Sequence, residues 1–192
     1  MSTPVLHLLA GSNGAGKSTL AELVLIPRTH LPFVNADLIA EELWPGDREE
    51  QARRAPEVSQ LASDERDRLL ADRVSFITET VFSHPSKLDL LRSARECGYT
   101  VHLHIVMIPE DLAVERVADR VAHGGHTVPV DKIRGRYRRL WELVARARGL
   151  ADRADFYDNA SLDGPFRPVA AYEYGQPVGR ADWPAWTPAP LT

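Results

Sequence analysis

Ala10-Gly11-Ser12-Asn13-Gly14-Ala15-Gly16-Lys17-Ser18-Thr19-Leu20 decides the reading of this 192-residue chain. From Gly11 to Ser18 it fits G-x-x-x-x-G-K-[ST] in full, and its flanks supply the context that pattern needs. Val5-Leu6-His7-Leu8-Leu9 before it is apolar and reads as a buried strand; Leu20-Ala21-Glu22-Leu23-Val24 after it reads as a helix opening. Glycines let the backbone wrap an anion so that successive N–H groups point inward, and the helix dipole adds to the attraction. The stretch therefore predicts a nucleoside-triphosphate site built from Gly11, Asn13, Gly14, Ala15, Gly16, Lys17, Ser18 and Thr19. Lys17 is expected to reach the β- and γ-phosphates, and the Ser18 hydroxyl to hold Mg²⁺.

Working outward, apolar runs alternate with helical periodicity, which predicts an α/β fold of the P-loop NTPase kind. The expected form is a mostly parallel sheet with helices on both faces and a helical lid. Strands are expected at about Val5 to Ala10, Pro32 to Asn35, Val74 to Thr78 closing on Glu79-Thr80, Tyr99 to Ile108, and Asp155 to Asn159. Val169 to Tyr174 reads as an edge strand. The first helix is expected to end near Pro27. Ala36, Ile39, Ala40 and Leu43 share a face of the next one, and Pro56 starts a helix to about Ala71 with Val58, Leu61 and Leu69 packing. Ser83 is expected to cap a helix that Gly98 terminates. Ile133, Tyr137, Leu140, Trp141 and Val144 form the buried stripe of a basic helix. His102 and His104 alternate onto one strand face and read as packing residues rather than a metal pair. One domain over residues 1–180 and a Pro- and Trp-rich tail over 181–192 are expected.

Composition bounds the function. A net charge of −4 lacks the basic balance of a general nucleic-acid binder. A lone cysteine, Cys97, excludes an internal disulfide and a cysteine-rich metal site, and fits a reducing cytosol. No leader-like or membrane-spanning apolar run is present, so the expected setting is cytoplasmic, with no membrane partner.

Ligands of an open α/β sheet bind beyond the carboxyl ends of the strands, so residues there become candidates. Asp37, in the first turn of a helix after strand two, is placed to take a proton from a substrate hydroxyl. Glu79, at the end of strand three, can bind an acceptor's hydroxyls or hold Mg²⁺ through water, and Thr80 follows it. In Glu115-Arg116-Val117-Ala118-Asp119-Arg120 the two arginines lie four apart on one helix face. With the Gly124-Gly125-His126 break and the arginine-bearing helix beyond it, Arg136 foremost, they have the form of a lid over transferring phosphates.

Taken together, Gly11 to Thr19, Asn35-Ala36-Asp37, the strand ending in Glu79-Thr80, Val114-Glu115-Arg116 with Arg120, and Gly124-Gly125-His126-Thr127-Val128-Pro129 resemble the zeta-toxin family of P-loop kinases. The likeness is strongest to its compact branch, often without an antitoxin, and spans roughly residues 4 to 160. It implies a P-loop kinase-like domain that uses ATP or GTP with Mg²⁺ to phosphorylate a small-molecule alcohol, such as the UDP-N-acetylglucosamine of the characterised toxins. It implies Lys17 as phosphate lysine, Ser18 as metal hydroxyl, Asp37 as catalytic base, Glu79 as acceptor carboxylate and Arg116 as lid arginine. It also brings an antitoxin protein into view as a partner. A second lid arginine of the toxins has no clean counterpart, because Gly-Gly-His occupies its place. Two alternatives stand beside the kinase: a nucleotide-dependent switch acting through a partner, and a polynucleotide kinase.

Overall fold

The computed structural model describes residues 3–122 and 128–192. Strands β1 (Val5–Gly11), β2 (Phe33–Val34), β3 (Phe76–Thr80), β4 (Thr100–Met107), β5 (Arg153–Asp158), β6 (Arg167–Glu173) and β7 (Gln176–Pro177) form one sheet in the order β2-β3-β1-β4-β5-β6-β7. The pairings from β2 to β5 are parallel; β6 and β7 add on antiparallel. This is the mixed α/β, mostly parallel arrangement that the alternating pattern predicts. Central strands are covered on both faces, which is why β1 and β4 read as near-continuous apolar runs. Leu6, Leu8, Leu9, Val101, Leu103, Ile105 and Met107 are fully buried.

From β1 the chain travels outward to β2, returns through β3 and then crosses β1 to β4. The order reverses at the carboxyl end of β1, where an open sheet leaves a crevice.

The helices are α1 (Lys17–Leu20), α2 (Ile26–Thr29), α3 (Ala36–Leu43), α4 (Arg48–Arg53), α5 (Ala55–Ala71), α6 (Ser86–Glu96), α7 (Glu110–Ala122) and α8 (Val130–Arg148). A π segment, Ala21–Leu25, joins α1 to α2, with the Ile26 N–H bonded to the Ala21 carbonyl. The wider turn accommodates the Pro27 ring, so Pro27 sits inside the helical run rather than ending it. α8 buries the expected stripe of Ile133, Tyr137, Leu140, Trp141 and Val144, and the Tyr137 hydroxyl donates to the Ile108 carbonyl at 2.9 Å.

Other expectations need correction. Leu43 and Leu61 are 48% and 39% exposed, so they lie at the margin of their helix faces rather than in the core. Ser83 caps nothing: α6 begins after Pro85, and the Ser86 N–H is taken by His84 Nδ1 at 3.2 Å. The stretch 181–192 makes contacts of its own. Trp183 meets Phe156 edge-on, and the Leu191 carbonyl accepts from Arg148 at 3.1 Å. No helix among the described residues is long and apolar enough to cross a membrane.

Candidate functional site

The loop leaves β1 at Gly11, where any side chain would collide with the Val106 carbonyl of β4. It turns through an Ala15 N–H to Ser12 carbonyl bond of 3.2 Å and enters α1 through Gly16, whose φ of 92° suits glycine. A Cβ on Gly16 would also stand 2.6 Å from Asn159 Nδ2. That nitrogen donates to the Ala15 carbonyl at 2.8 Å and ties the loop to the end of β5. Lys17 is buried, and its Nζ donates to the Ser12 carbonyl at 3.1 Å, which holds the ammonium over the inside of the loop. Burial pushes the Lys17 pKa down, the Glu79 and Asp37 carboxylates push it back up, and Arg120 pushes it down again. Three predicted residues on three different elements thus act electrostatically on the same ammonium.

Beside the loop opens a cleft of about 920 Å³. Its walls bring together Lys17, Ser18, Asp37, Glu79, Thr80, Arg116, Arg120 and Arg136, with Asn13, Gly14, Gly16 and Thr19 of the loop. Gly11 and Ala15 stand behind the loop rather than in the wall; Ala15 is fully buried. Asp37 is fixed by its neighbour: Asn35 Oδ1 accepts from the Asp37 N–H at 2.7 Å and the Leu38 N–H at 3.3 Å, capping α3. The Ser18 hydroxyl donates to Glu79 Oε2 at 2.8 Å across the gap between α1 and β3. The Thr80 hydroxyl accepts from the Phe82 N–H at 3.2 Å and so is partly used in shaping the turn. Arg116 reaches from α7 to the Asn159 carbonyl at 3.0 Å and the Gly14 carbonyl at 3.4 Å.

The arginines of α8 do different jobs. Arg136 faces the cleft, Arg134 pairs with Glu110 and Asp111 of α7, and Arg139 donates to the Ser83 carbonyl. Gly124-Gly125-His126-Thr127 lies outside the described residues; Val128 and Pro129 after it line the cleft.

Sequence reasoning missed several lining residues. Arg48 and Gln51 sit on α4, a helix the pattern did not suggest. The signal was there: Asp47 accepts from the Glu50 N–H at 3.0 Å, an acidic N-cap with Glu three residues on. Gln51 then ties α4 to α3 through the Glu41 carboxylate and the Trp44 carbonyl. Lys132, one turn before Arg136, also lines the wall. The described wall carries Lys17, Arg48, Arg116, Arg120, Lys132 and Arg136 against the carboxylates Asp37 and Glu79. In a chain of net charge −4, that is a local excess of cations suited to a polyanion. Ser18 and Glu79 offer paired oxygen donors of the kind a hard divalent cation such as Mg²⁺ takes.

Comparison with known proteins gives the family. Residues 1–161 match the zeta toxin family. No curated protein sequence matches the chain. Among solved structures, a putative kinase from Chloroflexus aurantiacus J-10-fl shares 24% identity over 71% of this chain and 78% of its own, with a TM-score of 0.57. The AvrRxo1-ORF1:-ORF2 structure with ATP shares 19% identity over 92% of this chain, with a TM-score of 0.72, and the chain spans 60% of its length. The PezAT toxin–antitoxin system of Streptococcus pneumoniae shares 14% identity over 82% of this chain and 68% of its own, with a TM-score of 0.61.

Proposed function

The chain belongs to the zeta-toxin family, and from that membership and the cleft we propose that it is an ATP-dependent phosphotransferase acting on a hydroxyl of a small molecule. One observation carries this reading. A carboxylate on the helix after strand two, Asp37, shares a wall with the loop lysine and lies near enough to bias its charge. Phosphoryl transfer to an alcohol needs that pairing: a proton acceptor beside the attacking oxygen and fixed cations around the phosphates.

In this reading the loop N–H groups and Lys17 hold the β- and γ-phosphates. Asp37 accepts the acceptor's hydroxyl proton as its oxygen bonds to the γ-phosphorus, while the bond from that phosphorus to the bridging oxygen breaks and ADP leaves. Arg116 and Arg120 balance the charge that spreads over the phosphoryl oxygens. Ser18 and Glu79 would hold Mg²⁺, which when bound neutralises phosphate charge and orients the oxygens. The cationic surplus at Arg48, Lys132 and Arg136 exceeds what a triphosphate alone requires. It supports an acceptor that is itself anionic, such as a nucleotide sugar of the UDP-N-acetylglucosamine kind. Arg134 and Arg139 are held by partners of their own, which speaks against a nucleic-acid track along α8. Likeness to a toxin–antitoxin system supports an antitoxin protein as partner.

The test is a small-molecule extract incubated with γ-labelled ATP. A labelled low-mass product is expected with the wild-type chain, and its formation slows about 10²–10⁴-fold in Asp37→Asn while ATP affinity is kept. Transfer at the wild-type rate in that variant would reduce Asp37 to a helix-start residue.

A further inference from the structure

The other half of the sheet holds a second polar cluster, away from the cleft. The parallel register sets His7 of β1 opposite His102 of β4, and His104 of β4 opposite Asp155 of β5. All four therefore project from one sheet face, in the amino-terminal half of β1 and around it. The ring centroids of His102 and His104 are 3.9 Å apart, and each lies 5.3 Å from that of His7. One ring nitrogen from each histidine falls within 4.8 Å of the others. His7 Nδ1 and His104 Nε2 approach to 3.0 Å, close to the ~3.3 Å between two nitrogens on a tetrahedral ion with bonds of about 2.0–2.1 Å.

Packing alone accounts poorly for this. His104 is 2% exposed; among the described residues its Nε2 meets His7 Nδ1, and its Nδ1, on the other side of the ring, has no hydrogen-bond partner. A buried polar atom left without a partner is costly, and an apolar side chain would avoid that cost. Burial lowers the imidazole pKa of His7 and His104, and the one hydrogen bond between His7 Nδ1 and His104 Nε2 is the contact an ion would replace. The remaining contact is the one a metal-bound histidine characteristically makes. His102 Nε2 is held by Asp155 Oδ2 at 2.6 Å, which leaves its Nδ1 for a ligand and orients the ring. Asp155 is in turn gripped by Arg153, whose charge Glu173 shares.

We propose that His7, His102 and His104 form a site for one Zn²⁺ ion per chain, with Asp155 as the carboxylate that positions His102. Three imidazole nitrogens favour a borderline-soft divalent metal over Mg²⁺ or Ca²⁺, which prefer oxygen. The half-buried rings of His7 and His102 leave the cluster open on one side. The ion would join β1 to β4, with β5 engaged through Asp155, and the proposal is independent of the kinase reading.

The experiment is calorimetric titration of the chelator-stripped full chain with Zn²⁺ in excess Mg²⁺, which occupies the oxygen donors near Ser18. It is paired with NMR of the seven histidine side chains. One saturable equivalent is expected, with resonance shifts concentrated in His7, His102 and His104. His7→Gln should weaken Zn²⁺ binding more than tenfold, and Asp155→Asn by about 10–100-fold. Absence of a saturable equivalent, shifts in other histidines instead, or unchanged affinity in a folded His7→Gln chain would overturn the proposal. The NMR result on the unaltered chain decides the matter if a variant does not fold.

Discussion

The two halves of the sheet are built by opposite routes. At the carboxyl end of β1, Asn13, Gly14, Gly16, Lys17, Ser18 and Thr19 of the cleft wall come from a single loop whose residues are neighbours in the chain. In the amino-terminal half, His7 and His104 meet at 3.0 Å although 97 positions separate them, and His102 reaches Asp155 across 53. A loop that wraps an anion must carry its glycines and lysine at fixed short spacings, so such a site is written locally. A site assembled across strands depends on register, which no spacing within one segment reveals. Recognition by motif therefore favours the first kind of site and passes over the second.

The comparison can be broken by finding that the two ends are coupled, or sharpened by effects confined to each. The largest effect is expected from Arg116→Ala, which removes both a charge in the cleft wall and the bonds to the Gly14 and Asn159 carbonyls. Turnover should fall about 10³–10⁵-fold, the range for an arginine that stabilises a transferring phosphoryl group. ATP affinity should change far less, and Arg116→Lys should recover only part of the rate. Steady-state kinetics with a separate binding measurement will show whether the loss lies in kcat.

Next comes Lys17→Ala. A charged hydrogen bond is worth roughly 1.5–3 kcal/mol, so ATP affinity measured by calorimetry should fall about 10–150-fold while circular dichroism stays native. Unchanged affinity would remove the phosphate-loop reading altogether.

Asn159→Ala should act on stability first. It leaves the Ala15 carbonyl without its donor in a buried setting, at a cost of about 1–3 kcal/mol in denaturant unfolding, and loosens the loop. The smallest effect is expected from His7→Gln in the absence of transition metal. One hydrogen bond is at stake, about 0.5–1.5 kcal/mol, and ATP affinity should be unaltered because no cleft residue is touched. With Zn²⁺ at a hundred times its Kd, the wild-type chain should gain about 2.7 kcal/mol and the variant little. A change in ATP affinity on adding Zn²⁺ would show that the halves communicate.

Much of the fold was legible because apolar runs and caps are local signals. The β1 strand, the buried stripe of α8 and the start of α3 at Ala36 all follow from residues a few positions apart. So do Lys17, Asp37 and Glu79, each at or soon after the end of a recognisable strand, whereas Arg116 and Arg120 follow from their spacing on one helix face. What escaped had non-local causes. Asn159 matters through the Ala15 carbonyl, 144 positions away. Leu61 reads as a core residue by period but falls at an edge that only the neighbouring helices define. Arg136 and Arg134 stand two residues apart on one helix, and only the position of α7 decides which of them faces the cleft and which is spent on an ion pair.

The π segment Ala21–Leu25 has a further consequence. Against an α-helix, a turn of this kind takes up one residue more, and one residue corresponds to about 100° of rotation about the helix axis. The stretch between Lys17 and Asp37 thus carries a surplus of one residue, stored as a bulge upstream of Pro27. Deleting a single residue from 21–25 would close the bulge and set the Pro27 ring against the carbonyl one turn before it, at a cost of about 3 kcal/mol. Deleting one from 30–35 would instead draw Asp37 out of phase with the ammonium it faces. The helix after the loop is a phase adjuster, and the spacing of Asp37 and Lys17 is the quantity it sets.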